Sequence, residues 1–158
     1  MNSDIWIGFK HLNDLGISPD QLGDYDVLCL PENIEKEGES DKLFEAEETV
    51  HLYKILKSRG IKAYCLHDFG CEVPIYERRG ETIYFGVLVI QYIVYPIVAG
   101  IIANWITEKL YHKNVRVVLH IIKNDKEEHI DYDGDGETLL KLLESLKEKR
   151  NAGNEQDN

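Results

Sequence analysis

Apolar positions recur along this chain in three patterns, and each predicts a different kind of element. Helical spacing runs through Leu43 to Arg59, where Ala46, Val50, Tyr53 and Leu56 share one side and Glu45, Glu48, Lys54 and Lys57 fall elsewhere. Acids lead and bases follow, as the helix dipole favours, and Gly60 supplies the stop. The last helix predicted follows Gly134-Asp135-Gly136, with Leu139, Leu142, Leu143 and Leu146 on one face and Lys141, Glu144, Lys147 and Glu148 on the other. A weaker helical spacing joins Ile5, Phe9, Leu12 and Leu15 ahead of Gly16. Ser18-Pro19-Asp20-Gln21 then reads as a capped turn, because serine caps, proline fits the first helical position and glutamine sits three residues on.

Alternation predicts strands. Val115 to Lys123 turns Val115, Val117, Leu119 and Ile121 to one face, Asn124-Asp125-Lys126 reverses the chain, and Glu128 to Asp133 returns with Ile130 and Tyr132 facing together. Short runs at Tyr25 to Leu30, Ile61 to Leu66, Val73 to Glu77 and Thr82 to Ile90 predict further strands, with a turn at Arg78-Arg79-Gly80. The first two flank the Leu43 to Arg59 helix, so a parallel strand–helix–strand unit is expected.

The third pattern is an unbroken one. Between Glu81 and Glu108, 26 residues (82–107) carry no charged side chain, although 30% of the chain is charged. A run of that length fits a transmembrane span. It also fits a buried strand followed by a helix starting near Pro96 and ending near Tyr111. Gln91 and Asn104 would each need a partner in lipid, and Arg78 and Arg79 against Lys109, Lys113 and Arg116 give no positive-inside orientation. The expectation is therefore a core spine wrapped by other elements, with a single membrane span through residues 85–107 as the alternative. The fold class that follows is α+β: a mixed sheet of short strands around a central apolar helix, then a β-hairpin and an amphipathic helix. Residues 1–150 form one domain, and 151–158 (NAGNEQDN) form a disordered polar tail.

Charge narrows the role. A net charge of −11 repels phosphate backbones, so no nucleic-acid partner is expected. Residues 31–48 hold eight acids against two lysines, and the first half of that run is expected to be an exposed loop. Three cysteines fit reduced thiols and a cytoplasmic setting, with the inner membrane as the counterpart of the single-span alternative.

Two clusters have metal chemistry. Cys65, His67 and Cys71 in CLHDFGC offer the thiolates and imidazole that zinc prefers, with Cys29 as a possible further ligand, but C-x-H-x3-C is not a knuckle spacing. Asp131, Asp133 and Asp135, followed by Gly136, match the first half of a calcium loop, but Leu142 stands where a bidentate glutamate is required. The plainer reading of the second cluster is a strand-to-helix turn capped by Asp135. His120 and His129 are expected to face each other across the hairpin, a pairing able to sense pH. Phosphate-loop, dinucleotide, zincin and nucleophile-elbow motifs are absent from the sequence, and no catalytic residue is assigned.

The stretch PIVAGIIANWITEKLYHKNVRVVLHIIKNDKEEHIDYDGDGETLLKLLESL resembles the small effector-associated α+β modules of bacterial conflict and defence systems, over about the last 60 residues. That resemblance implies an apolar helix, a hairpin and a closing helix, and it carries no active site. It implies a non-enzymatic adaptor that docks or tethers a protein partner or self-associates. Apolar surface beside the spine, or the acidic run at 31–48, is the expected docking face. A single-span membrane component and a small zinc- or calcium-binding enzyme or sensor are the alternatives.

Overall fold

A computed structural model describes residues 9–37, 43–76, 82–110, 112–123 and 126–156. The chain is α+β. It opens with α1 (Phe9–Asp14), which ends at Gly16 with φ +86°, and α2 (Pro19–Leu22), where the Ser18 amide donates to Gln21 Oε1 at 2.8 Å. Next come β1 (Val27–Leu30), α3 (Ile34–Glu37), β2 (Glu45–Ala46), α4 (Glu47–Ser58) and β3 (Ala63–Tyr64). The remaining elements are β4 (Ile75–Tyr76), β5 (Thr82–Gln91), α5 (Tyr95–Trp105), β6 (Asn114–Lys123), β7 (Lys126–Asp135) and α6 (Gly136–Gln156).

Five strands form one mixed sheet in the order β3-β1-β5-β6-β7. β1 and β3 are parallel, as the strand–helix–strand reading expects, and so are β5 and β6. β1 runs antiparallel to β5, and β6 antiparallel to β7. Both faces of the three central strands are buried, which explains why they read as near-continuous apolar runs. On one face, Leu88, Ile90, Val117 and Leu119 meet Leu52 and Leu56 of α4, Val98 and Ile102 of α5, and Leu139 and Leu143 of α6. On the other, Leu28, Val87, Val89, Val118 and Ile122 meet Leu12, Leu22, Ile34, Leu43 and Leu66.

The neutral run divides between β5 and α5, and a π-helical turn (Ile106–Leu110) finishes it. Among the described residues, no helix is long and apolar enough to cross a membrane. Residues 85–107 are thus part strand and part helix, and they do not form the one continuous helix that the single-span alternative requires. The helix is not wrapped all round either: it lies on one face of the sheet, leaving Ile97 51% exposed and Ile93, just ahead of it, 75% exposed.

Other expectations are corrected by packing. The described start of the acidic run, residues 31–37, is not an exposed loop, because Ile34 is buried in the second core and opens α3; further on, Leu43 is buried and Glu45 joins β2. α4 therefore starts at Glu47 and buries Thr49, Leu52 and Leu56, with Val50 only half-buried. Of the expected Val73–Glu77 strand, Ile75–Tyr76 pairs with β2 outside the main sheet, Val73 and Pro74 are not strand, and Glu77 lies outside the described residues. α6 takes in residues 151–156 of the expected tail: once Leu139, Leu143 and Leu146 anchor it, each added residue gains a backbone hydrogen bond. Ile5, the Arg78-Arg79-Gly80 turn, and Asn124 and Asp125 lie outside the described residues.

One hydrogen bond ties α5 to α6. The buried Tyr95 hydroxyl donates to the Leu143 carbonyl oxygen at 3.1 Å. Tyr95→Phe keeps the packing and removes the bond, so urea denaturation should show a loss of about 1 kcal/mol.

Candidate functional site

Two features stand out, on opposite faces of the sheet. The first is a groove of about 730 Å³ between α4 and α5. Ile55, Pro96, Ile97 and Ile101 give it an apolar lining, and Trp105 packs edge-on against Phe85, with ring centroids 5.5 Å apart. At Gly100 an added Cβ would meet nothing within 4 Å, so this stretch of α5 backbone lies bare to the groove. Lys54 and Arg59 place positive charge along the α4 side, with Glu108 on the α5 side. From Pro96 to Glu108 the groove follows about 18 Å of helix, at 1.5 Å per residue.

The second feature is a histidine–carboxylate cluster. The strand register sets His120 opposite His129, as expected from the sequence, and the two rings stack with centroids 4.5 Å apart and planes 8° from parallel. His120 is only 3% exposed. Its Nδ1 meets Glu127 Oε1, and its Nε2 lies 2.5 Å from Glu35 Oε1. Glu127 stands two residues from His129 and so shares its face of β7, whereas Glu35 arrives on α3, 85 positions away from His120 in sequence. Burial alone pulls the His120 pKa down, but the two carboxylates outweigh it and the net shift is upward. A neutral imidazole has one N–H, and here both ring nitrogens face carboxylate oxygens. The arrangement calls for a positive charge, carried by the ring or by a cation beside it.

Among the described residues, the one group of three or more potential metal ligands brought within 4.8 Å of each other is Glu35, His120 and His129. Neither cluster read from the sequence converges in this way. Cys65 opens a 3₁₀ turn (Leu66–Phe69) with its amide donating to Asp68 Oδ2 at 2.9 Å, and Gly70 closes the turn at φ +83°. Asp68 also accepts from the Tyr53 hydroxyl at 2.8 Å, His67 is exposed, and Cys71 packs against the second core. All three cysteines are free thiols. The CLHDFGC segment is thus a capped turn that positions Asp68 for α4.

Asp131, Asp133 and Asp135 lie along β7, where alternate residues stand about 6.7 Å apart. Asp131 pairs with Arg116, and Asp133 accepts from Asn114 Nδ2 at 2.8 Å. Asp135 accepts from the Thr138 amide at 2.9 Å, and that bond holds its carboxyl below the usual range. The capped strand-to-helix turn is the arrangement found.

Glu35 and Glu127 were not legible as site residues. Glu35 sits inside an acidic run, and only the apolar flanks Ile34 and Leu43 signal that this run is anchored. Glu45 was hidden the same way: it is 7% exposed, and burial raises its carboxyl to about 7. No known family model matches the chain, and no curated protein or solved structure matches it either.

Proposed function

We propose that this protein is a non-enzymatic docking module whose α4–α5 groove receives an amphipathic helix with acidic flanks from a partner protein. The observation that carries this reading is Ile97, half-exposed on an apolar helix beside a groove of about 730 Å³. Large aliphatic side chains left in water beside a concavity mark interaction sites more often than scattered surface residues do. About three turns of groove suit a helix presenting apolar residues at i, i+4 and i+7. Lys54 and Arg59 favour acidic flanks, notably in a chain whose net charge is −11. The adaptor role implied by the C-terminal resemblance to defence-system modules fits this reading and suggests an effector as the partner.

The probe is a fluorescein-labelled, stapled helical peptide with leucines at i, i+4 and i+7 and glutamates at both ends. Fluorescence anisotropy should show saturable binding, weakened at least about tenfold by Ile97→Glu and by exchanging the glutamates for lysines. Absence of binding, or equal binding by Ile97→Glu, overturns the reading. A concentration-dependent dimer in light scattering, abolished by Ile97→Glu, would assign the groove to a second copy instead.

A further inference from the structure

We propose that Glu35, His120 and His129 form a binding site for one divalent transition-metal ion of the zinc type, with Glu127 holding the His120 ring in place. The site lies across the sheet from the docking groove and does not depend on it. Its donor set is two imidazole nitrogens and one carboxylate, which suits zinc and its neighbours and leaves a remaining position to solvent. Three elements supply the ligands: α3, β6 and β7. Such convergence of separated segments distinguishes the cluster from a run of acids on one loop.

The arrangement around His120 follows the logic of a supported metal ligand. Glu127 engages Nδ1, which directs Nε2 toward Glu35. A carboxylate on the distal nitrogen fixes both the tautomer and the ring orientation of a metal-bound histidine. Burial of the ring excludes competing water and locks its rotamer. The separation of 2.5 Å between Nε2 and Glu35 Oε1 is shorter than two ligands keep across a shared zinc, roughly 3.3 Å for tetrahedral bonds of about 2.0 Å. Glu35, with 28% of its side chain exposed, has room to withdraw that far. The two ring planes are near-parallel and do not meet on one ion, so His129 must turn. Its side chain is exposed, so a change of rotamer can turn the ring out of its stack on His120. The bound ion would clip α3 to the hairpin.

The test uses the full chain, stripped with a chelator and dialysed. Zinc sulfate is titrated in by calorimetry at about pH 7.5, where histidine ligands are largely deprotonated in the bound state. One ion per chain is expected, with a higher thermal midpoint in its presence. Binding should weaken at least about tenfold in His129→Ala and in Glu35→Gln, and about tenfold in Glu127→Gln, which acts through ring orientation. All three substituted side chains lie outside the innermost core, and circular dichroism checks that each variant is folded. Cobalt(II) should give visible d–d bands without a thiolate charge-transfer band, and Cys65→Ser and Cys71→Ser should bind like the parent. Absence of saturable binding overturns the proposal, and so does binding unchanged in both His129→Ala and Glu35→Gln. A thiolate charge-transfer band lost in the cysteine variants overturns it as well, by moving the ion to the CLHDFGC turn.

Discussion

Gly86→Ala is expected to destabilise the fold by about 3 kcal/mol, the upper part of the range for inserting atoms into a packed core. Gly86 lies where the β5–β6 register shifts between Tyr84 and Val87. The bulge turns Phe85 and Leu88 toward the same core, although alternation alone would separate them. A Cβ on Gly86 would stand 2.2 Å from the Leu30 carbonyl oxygen and 2.9 Å from Thr49 Oγ1. The first of these is backbone of the neighbouring strand β1, which cannot swing aside as a flexible side chain would. The Gly86 amide also donates to Thr49 Oγ1 at 2.5 Å, so displacing either group breaks a buried hydrogen bond. Urea denaturation with an unchanged m-value measures the loss. A change below about 0.5 kcal/mol would mean that β1 and β5 are not this close.

Glu45→Gln is expected to remove a stability loss of roughly 3 kcal/mol that accumulates between acid and alkaline pH. Burial raises the Glu45 carboxyl from 4.5 to about 7. The folded state therefore keeps a proton that the unfolded chain has already released. Below pH 4.5 both states hold it and the site carries no penalty. As pH rises from 4.5 to about 7 the penalty grows, and above that it is constant. His120, with its own raised pKa, contributes stability that is also lost as pH rises, so the parent slope mixes the two. Subtracting the parent from the variant at each pH isolates Glu45. A difference that stays flat across the range would show that Glu45 is hydrated or finds a counter-charge in solution.

Much of the architecture was legible because local rules and tertiary packing agree. The hairpin, the Ser18 cap, the Asp135 cap, the parallel β1–β3 unit and the pairing of His120 with His129 all follow from residues close in sequence or from strand register. The neutral run parsed as strand then helix for the same reason: β-branched residues crowd its first half, and Pro96 suits a helix start. The α4 face was misread because Thr49, a polar residue, is buried in place of Val50. The demand for Thr49 comes from the bulged Gly86 amide, 37 positions away. Glu35 and Glu45 were lost in the acidic run because a carboxylate count does not distinguish solvated acids from those held under a sheet. The groove was anticipated only as apolar surface beside the spine. Its basic rim comes from Lys54 on α4 and Arg59 just past its end, which the sequence shows only as a polar-side residue and a helix terminus.

What the sequence determined by itself was most of the longer elements, their class and the absence of a sequence motif for catalysis, since periodicity, caps and turn residues act within about ten positions. The tertiary structure alone decided which polar groups were drawn inside and which apolar ones were left out. Burial is a property of contacts between distant segments: α3 reaches His120, α4 reaches Gly86, and the described residues leave Ile97 half-exposed.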